Sequence, residues 1–106
     1  MERVAFILKV KPDRIEEYKE HHRNVWPEML EALRNAGWHN YSIFMREDGM
    51  LFFYLETPNF KEALRKMAET EVNARWQVLM APYFEGISGK HADESMVPLE
   101  EVFHLD

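Results

Sequence analysis

Between Arg3 and Val10 the chain alternates, with Val4, Phe6, Leu8 and Val10 on one side and Ala5, Ile7 and Lys9 on the other. A period of two is the signature of a half-buried strand. Lys11-Pro12-Asp13 predicts a turn, with Asp13 placed to cap a helix. From Arg14 the period lengthens: Ile15, Tyr18, His22 and Val25 fall at i, i+3, i+7 and i+10 and share one helical stripe. Pro27 lacks a backbone donor and disfavours helical geometry at Trp26. The helix is therefore expected to break there and restart with Pro27 in its first turn. The restarted piece carries Met29, Leu30 and Leu33 inward and stops at Gly37.

Two further strands, His39–Glu47 and Met50–Glu56, are joined at Asp48-Gly49, a strong hairpin signal. A second helical region opens near Asn59 with Phe60, Ala63, Leu64 and Met67, breaks around Thr70, and resumes through Val72, Trp76, Leu79 and Met80. MAETE, from Met67 to Glu71, reads as a solvated helix end. Gly86–Ser95 reads as a loop, and a last short strand is expected over Glu100–Asp106. The order is β-α-β-β-α-β, so the fold class is α+β, a ferredoxin-like antiparallel sheet in one domain spanning residues 1–106. Helices on one face leave the other bare. The aromatic and aliphatic residues in the strands call for a cover, and a second copy packed sheet to sheet supplies it, giving a homodimer and a dimeric α+β barrel.

Composition narrows the chemistry. The 106 residues include no cysteine, which removes disulfides, thiolate nucleophiles and cysteine-ligated metals. A net charge of −6 without any dense basic run argues against a nucleic-acid partner. The apolar runs AFIL and MLFFYL are strand-length, far short of the roughly 20 residues a membrane span needs. The N-terminus lacks the pattern of a secretory leader, so a cytoplasmic location is expected. Aromatic residues make up 13%, enough to fill a core and also to wall a ligand pocket.

The chain has five histidines, two of them adjacent. Neighbours on a helix diverge by about 100°, so His21 and His22 cannot chelate one ion together, and no metal site is expected. His21 shares a polar side with Glu17 and Asn24 and is expected in solvent. His22 lies on the apolar stripe one turn after Tyr18 and four residues before Trp26. Two readings of His22 stay open: a partly buried histidine bonded to a neighbour, or an acid–base group whose pKa an aromatic pocket holds near neutrality. Tyr41, Trp38 and Trp76 read first as core. Phosphate loops, nucleophile elbows and paired catalytic carboxylates are all missing.

Four stretches carry a likeness that spans nearly the whole chain: VKPDRIEEY (Val10–Tyr18), HRNVWPE (His22–Glu28), GWHNYSI (Gly37–Ile43) and EEVFHLD (Glu100–Asp106), with ARWQ (Ala74–Gln77) fitting less tightly. In their order and spacing the chain resembles the L-rhamnose mutarotase family. The resemblance implies a ferredoxin-like dimer that interconverts the α and β anomers of L-rhamnose without metal or organic cofactor. It implies His22 as the proton-donating residue, Tyr18 and Tyr41 as sugar contacts, and Trp76 in the sugar site. The next position, usually a second tryptophan in that family, is Gln77 here. Two other classes share the pattern: a cofactor-independent monooxygenase on the same fold, and a non-catalytic sugar-binding domain.

Overall fold

The computed structural model describes residues 1–86 and 95–106, so all but the two end residues of the expected Gly86–Ser95 loop, including His91, lie outside the described residues. The elements run β1 (Glu2–Lys9), α1 (Ile15–Arg23), α2 (Pro27–Asn35), β2 (His39–Met45), β3 (Met50–Thr57), α3 (Phe60–Ala68), α4 (Glu71–Met80) and β4 (Val97–Leu99). Each helix of the ferredoxin-like order is thus split in two. Pro27 splits the first, opening α2 at its N-terminal position with Trp26 extended at ψ 135°. The second breaks at Thr70, where the hydroxyl accepts from the Asn73 amide and caps α4; Asn59 caps α3 in the same way through Glu62.

The strands form an antiparallel sheet in the order β2-β3-β1-β4. Its register sorts the side chains into rows. Ile43, Phe53 and Phe6 pair across three strands toward the helices, and the Phe6 and Phe53 rings stack at 4.6 Å. With Leu8, Val10, Leu51 and Leu55 they make the floor of the core, closed from above by Met29, Met67, Trp76 and Met80. On the opposite face Phe44, Phe52, Ile7 and Val97 form a row across all four strands. This face is open: Phe44 is 64% exposed, Phe52 38% and Val97 54%.

The β2–β3 hairpin turns at Arg46–Gly49, where Arg46 and Gly49 close a tight loop by Gly49 N–H donating to Arg46 C=O at 2.9 Å. Gly49 sits at φ +94°, and a Cβ there would lie 2.4 Å from the Val10 carbonyl oxygen, so both conformation and space require glycine. The Gly49 carbonyl in turn accepts from Val10 N–H at 2.9 Å and ties the hairpin to the end of β1.

Four local expectations need correction. Asp13 does not cap α1; it lies inside a 3₁₀ turn, Pro12–Arg14, and α1 starts behind Arg14 with no side-chain cap. Leu30 is 38% exposed and sits at a cavity rim rather than in the core. In MAETE only part is solvated, since Met67 is buried. The last strand is Val97–Leu99, not Glu100–Asp106. Register gives the reason: Leu99 pairs with Ala5, so Glu101 comes level with Arg3 and the chain beyond overruns the start of β1. Glu101 accepts from Arg3 Nε at 2.8 Å, and the segment after it has no strand of its own sheet to join.

Candidate active site

Tyr18 and His22 stand one turn apart on α1, as the spacing predicts. Their rings stack with centroids 4.2 Å apart. His22 Nδ1 lies 2.9 Å from the Tyr18 carbonyl oxygen. A carbonyl only accepts, so Nδ1 carries the proton and Nε2 is left as the basic atom. Burial lowers the His22 pKa from 6.5; the Tyr18 carbonyl opposes this, and the neighbouring His21 lowers it further. The imidazole is therefore neutral at pH 7 and ready to accept a proton.

Trp76 comes from α4 and meets His22 edge-on at 5.4 Å; Trp26 meets Trp76 edge-on at 5.1 Å. Arg75, the neighbour of Trp76, places its guanidinium over Trp26 at 5.9 Å, not over Trp76 itself. Tyr41 comes from β2 and shares the helix side with Ile43 by ordinary strand alternation, packed edge-on to Trp38 at 5.0 Å. Just before it Asn40 adopts φ +47°, and the register to β3 slips by one residue between His39 and Ser42. This bulge turns His39, paired with Glu56, to the same face as Ser42, and the Asn40 amide donates to Glu56 at 3.1 Å.

Together these residues wall a cavity of about 200 Å³ between sheet and helices. At roughly 30 Å³ per water, that is the room of six or seven waters and the size class of one sugar ring. Its lining is mostly aliphatic and aromatic. The polar groups are His22, the phenols of Tyr18 and Tyr41, and the amides of Asn73 and Gln77. Burial raises the Tyr18 phenol well above its ordinary value of 10, and does the same for Tyr41, with the Tyr18 phenol adding to the effect. Both phenols stay protonated near neutral pH and act as hydrogen-bond donors. A second, open cleft of about 290 Å³ shares Tyr18 and His22 with the cavity and carries Lys19 and Arg23 at its edge. His22 therefore stands between a mostly apolar chamber and a second cleft open to solvent.

All five expected site residues, Tyr18, His22, Tyr41, Trp76 and Gln77, border the one cavity. Asn73 joins them and was not singled out from sequence; the signal was present in its spacing, since Asn73, Trp76, Gln77 and Met80 share one stripe of α4. His21 departs from expectation. It is half-buried, and its Nε2 lies 3.1 Å from the Tyr83 hydroxyl, because the 3₁₀ turn Ala81–Tyr83 folds back against α1. His104 pairs with Asp106 near the chain end, away from the cavity lining. Among the described residues no group of three or more His, Cys, Asp or Glu is placed to hold a metal ion, and no helix is long and apolar enough to cross a membrane.

The chain matches known proteins over its length. The family model for L-rhamnose mutarotase matches residues 3–105. An L-rhamnose mutarotase of Bacillus subtilis (strain 168) is 47% identical, and one of Oceanobacillus iheyensis 41% identical, each over the full length of both chains. A crystal structure of an L-rhamnose mutarotase from Formosa agariphila superposes with a TM-score of 0.82 at 31% identity, covering all of both chains. The fold alone extends further, to a putative antibiotic biosynthesis monooxygenase from Nitrosomonas europaea at TM-score 0.64 and 19% identity, covering 97% of this chain and all of the other. With a stacked tyrosine–histidine pair at the wall of a sugar-sized chamber and family resemblance from one end to the other, the chain belongs to the L-rhamnose mutarotase family of carbohydrate isomerases.

Proposed function

We propose that this protein is a cytoplasmic L-rhamnose mutarotase, a single domain working as a homodimer, with His22 as its acid–base group. The observation that carries the reading is the His22 imidazole, held neutral with Nδ1–H engaged and Nε2 basic, in a chamber sized for one sugar ring. Ring opening needs the proton of the anomeric hydroxyl removed and a proton delivered to the ring oxygen. Nε2 takes the first. The electron pair of that O–H bond becomes the carbonyl, the C1–O5 bond breaks, and its pair stays on O5, which takes the proton from the His22 Nε2–H and returns the imidazole to its neutral form. Rotation about C1–C2 turns the other carbonyl face toward O5, and closure reverses the proton transfers. A histidine whose pKa is lowered by burial suits both roles: neutral at rest, and a strong donor once protonated.

Tyr18 and Tyr41 serve as neutral donors to sugar oxygens, and Trp76 offers a flat apolar wall to the C–H face and methyl group of a 6-deoxy sugar. The dimer uses the open sheet face. The row Phe44, Phe52, Ile7 and Val97 is too extended an apolar surface to leave in water, and the same patch on a second copy matches it under two-fold symmetry.

The test is saturation-transfer NMR on L-rhamnose at anomeric equilibrium. Enzyme-dependent exchange between the two anomeric proton signals is expected, strongly reduced in His22→Ala. Unchanged exchange in that variant overturns the role of His22. Saturable binding with no faster exchange identifies a sugar-binding domain instead, and oxygen consumption with an aromatic substrate identifies the monooxygenase class.

A further inference from the structure

Trp26 stands behind Trp76, outside the lining of the chamber and of the cleft, yet it belongs to an aromatic row that ends on His22. Its backbone is firmly set. Pro27 keeps it extended at ψ 135°, and its carbonyl accepts from Met29 N–H at 3.0 Å and Leu30 N–H at 3.1 Å. Its indole is held as well. The Arg75 guanidinium lies 5.9 Å from its ring centre, and the Trp76 ring meets it at 5.1 Å with the planes 86° apart. Trp76, 7% exposed, then crosses the His22 imidazole at 5.4 Å and 81°. The imidazole thus has one ring stacked on it, Tyr18, and a second ring crossing it. Packing alone does not call for an indole at position 26, because the side chain is only half-buried and a leucine is apolar too. What leucine lacks is a flat ring to set against Trp76 and a π-surface for Arg75.

We propose that Trp26 is a positioning residue for the acid–base step: fixed by Pro27 and covered by Arg75, its indole holds Trp76 against His22 and so keeps Nε2 aimed at the reacting oxygens. This rests on the mutarotase reading for the identity of the reaction. A histidine ring turns about its Cβ–Cγ bond, and the two ring contacts restrict that turning before the sugar arrives. The proton transfers then start from an aligned group, and small misalignments of such a group are costly in rate. When Trp26 is changed, Trp76 itself remains, so the sugar keeps its apolar wall. The effect therefore falls on kcat rather than KM.

The experiment measures kcat and KM for L-rhamnose anomer exchange in the wild type, Trp26→Leu and Trp26→Phe. Circular dichroism verifies the fold, and Trp26→Met is used if Trp26→Leu does not fold. Trp26→Leu is expected to lower kcat about tenfold with KM within about twofold, while Trp26→Phe, which restores a ring, stays within about threefold of wild type in kcat. The rings give a second readout that does not depend on activity. In the wild type a nuclear Overhauser contact should join Trp76 to His22, and proton–nitrogen correlation spectra should show His22 as a single Nδ1–H tautomer. Trp26→Leu should weaken the contact and mix the tautomers, and Trp26→Phe should preserve both. Unchanged kcat in Trp26→Leu, a rise in KM alone, equal losses in the leucine and phenylalanine variants, or a lowered kcat with the Trp76–His22 contact undisturbed overturns the proposal. If the wild type exchanges no anomers, the mutarotase reading fails by itself. The ring contact and the tautomer across the same proteins then decide whether Trp26 positions His22.

Discussion

The imidazole of His22 stacks on the ring of Tyr18, 4.2 Å between centroids and tilted by 29°, while the peptide carbonyl of that same tyrosine holds its Nδ1 at 2.9 Å. One residue thus sets both the orientation and the tautomer of the other. Replacing His22 by alanine removes the acid–base group, and a drop in kcat of roughly 10²–10⁴-fold is expected. His22→Gln keeps much of the volume but cannot cycle a proton, so it should be nearly as inactive. Tyr18→Phe preserves the stack and the carbonyl and loses only the phenol. Its KM should rise, with the shape of the pH profile unchanged. Anomer-exchange NMR on the three variants decides between these outcomes.

Acid should switch the protein off at a pH lower than a free histidine would. Burial places the folded-state pKa of His22 below 6.5, so kcat/KM is expected to stay flat through neutrality and fall only under that value. The linkage to stability has the same direction. A depressed folded pKa means that the folded state binds fewer protons than the unfolded chain. The contribution to stability is complete above about 6.5 and is lost as pH falls through the lower, folded value. Urea unfolding across this range should show the loss in wild type and less of it in His22→Gln. A kinetic limb above 6.5 contradicts the burial argument. His21 bears on this limb, since its charge helps to lower the His22 pKa. His21→Ala should move the limb slightly upward, and by releasing Tyr83 it should also lower stability by about 1 kcal/mol.

Asn40 offers a test of the bulge that precedes Tyr41. Its φ of +47° lies in the left-handed region, which asparagine tolerates and β-branched residues do not. Asn40→Gly and Asn40→Val both lose the bond to Glu56. Only valine adds conformational strain, so Asn40→Val should be less stable than Asn40→Gly by about 1–2 kcal/mol in urea unfolding. Equal stability in the two variants would show that the left-handed backbone at Asn40 carries no strain.

How far the sequence foretold this depends on the length scale of each signal. The stripe Ile15–Tyr18–His22–Val25, the break at Pro27 and the Asp48-Gly49 turn are local, and periodicity or one residue's backbone preference determines them. The misses are tertiary. His21 sits on the polar side of α1 by spacing, yet the turn at Tyr83 reaches it from 62 residues away. The strand expected at Glu100–Asp106 has a suitable pattern, but pairing stops at Leu99, and in this register β1, starting at Glu2, offers no partner to the residues after Val102. Asn73 shares the α4 stripe of Trp76, Gln77 and Met80 by spacing, but an asparagine there reads as an ordinary helix-start residue until its burial, in a chamber formed by elements far apart in the chain, is seen.

The overrunning C-terminus and the bare sheet face point to one experiment. Val102, Phe103 and Leu105 are 86, 79 and 80% exposed, and they follow directly on the edge strand that carries Val97 and Leu99 on the open face. Apolar side chains placed in this way extend the self-complementary patch beyond one copy's sheet, so the tail of each copy should lie on the other. Sedimentation equilibrium of the wild type is expected to give twice the chain mass of 12.7 kDa. Phe52→Glu puts a charge at the middle of the row shared by Phe44 and Ile7 and should yield monomer. Removing residues 100–106 should weaken the dimer at least tenfold while leaving the fold in place, because among the described residues the hydrogen-bonded tie of the tail to its own sheet is the exposed Arg3–Glu101 pair, which water screens. A wild type that sediments as a monomer refutes the sheet-face dimer. A truncated chain that dimerises as tightly as the full one leaves the sheet face in place and removes the tail from the interface.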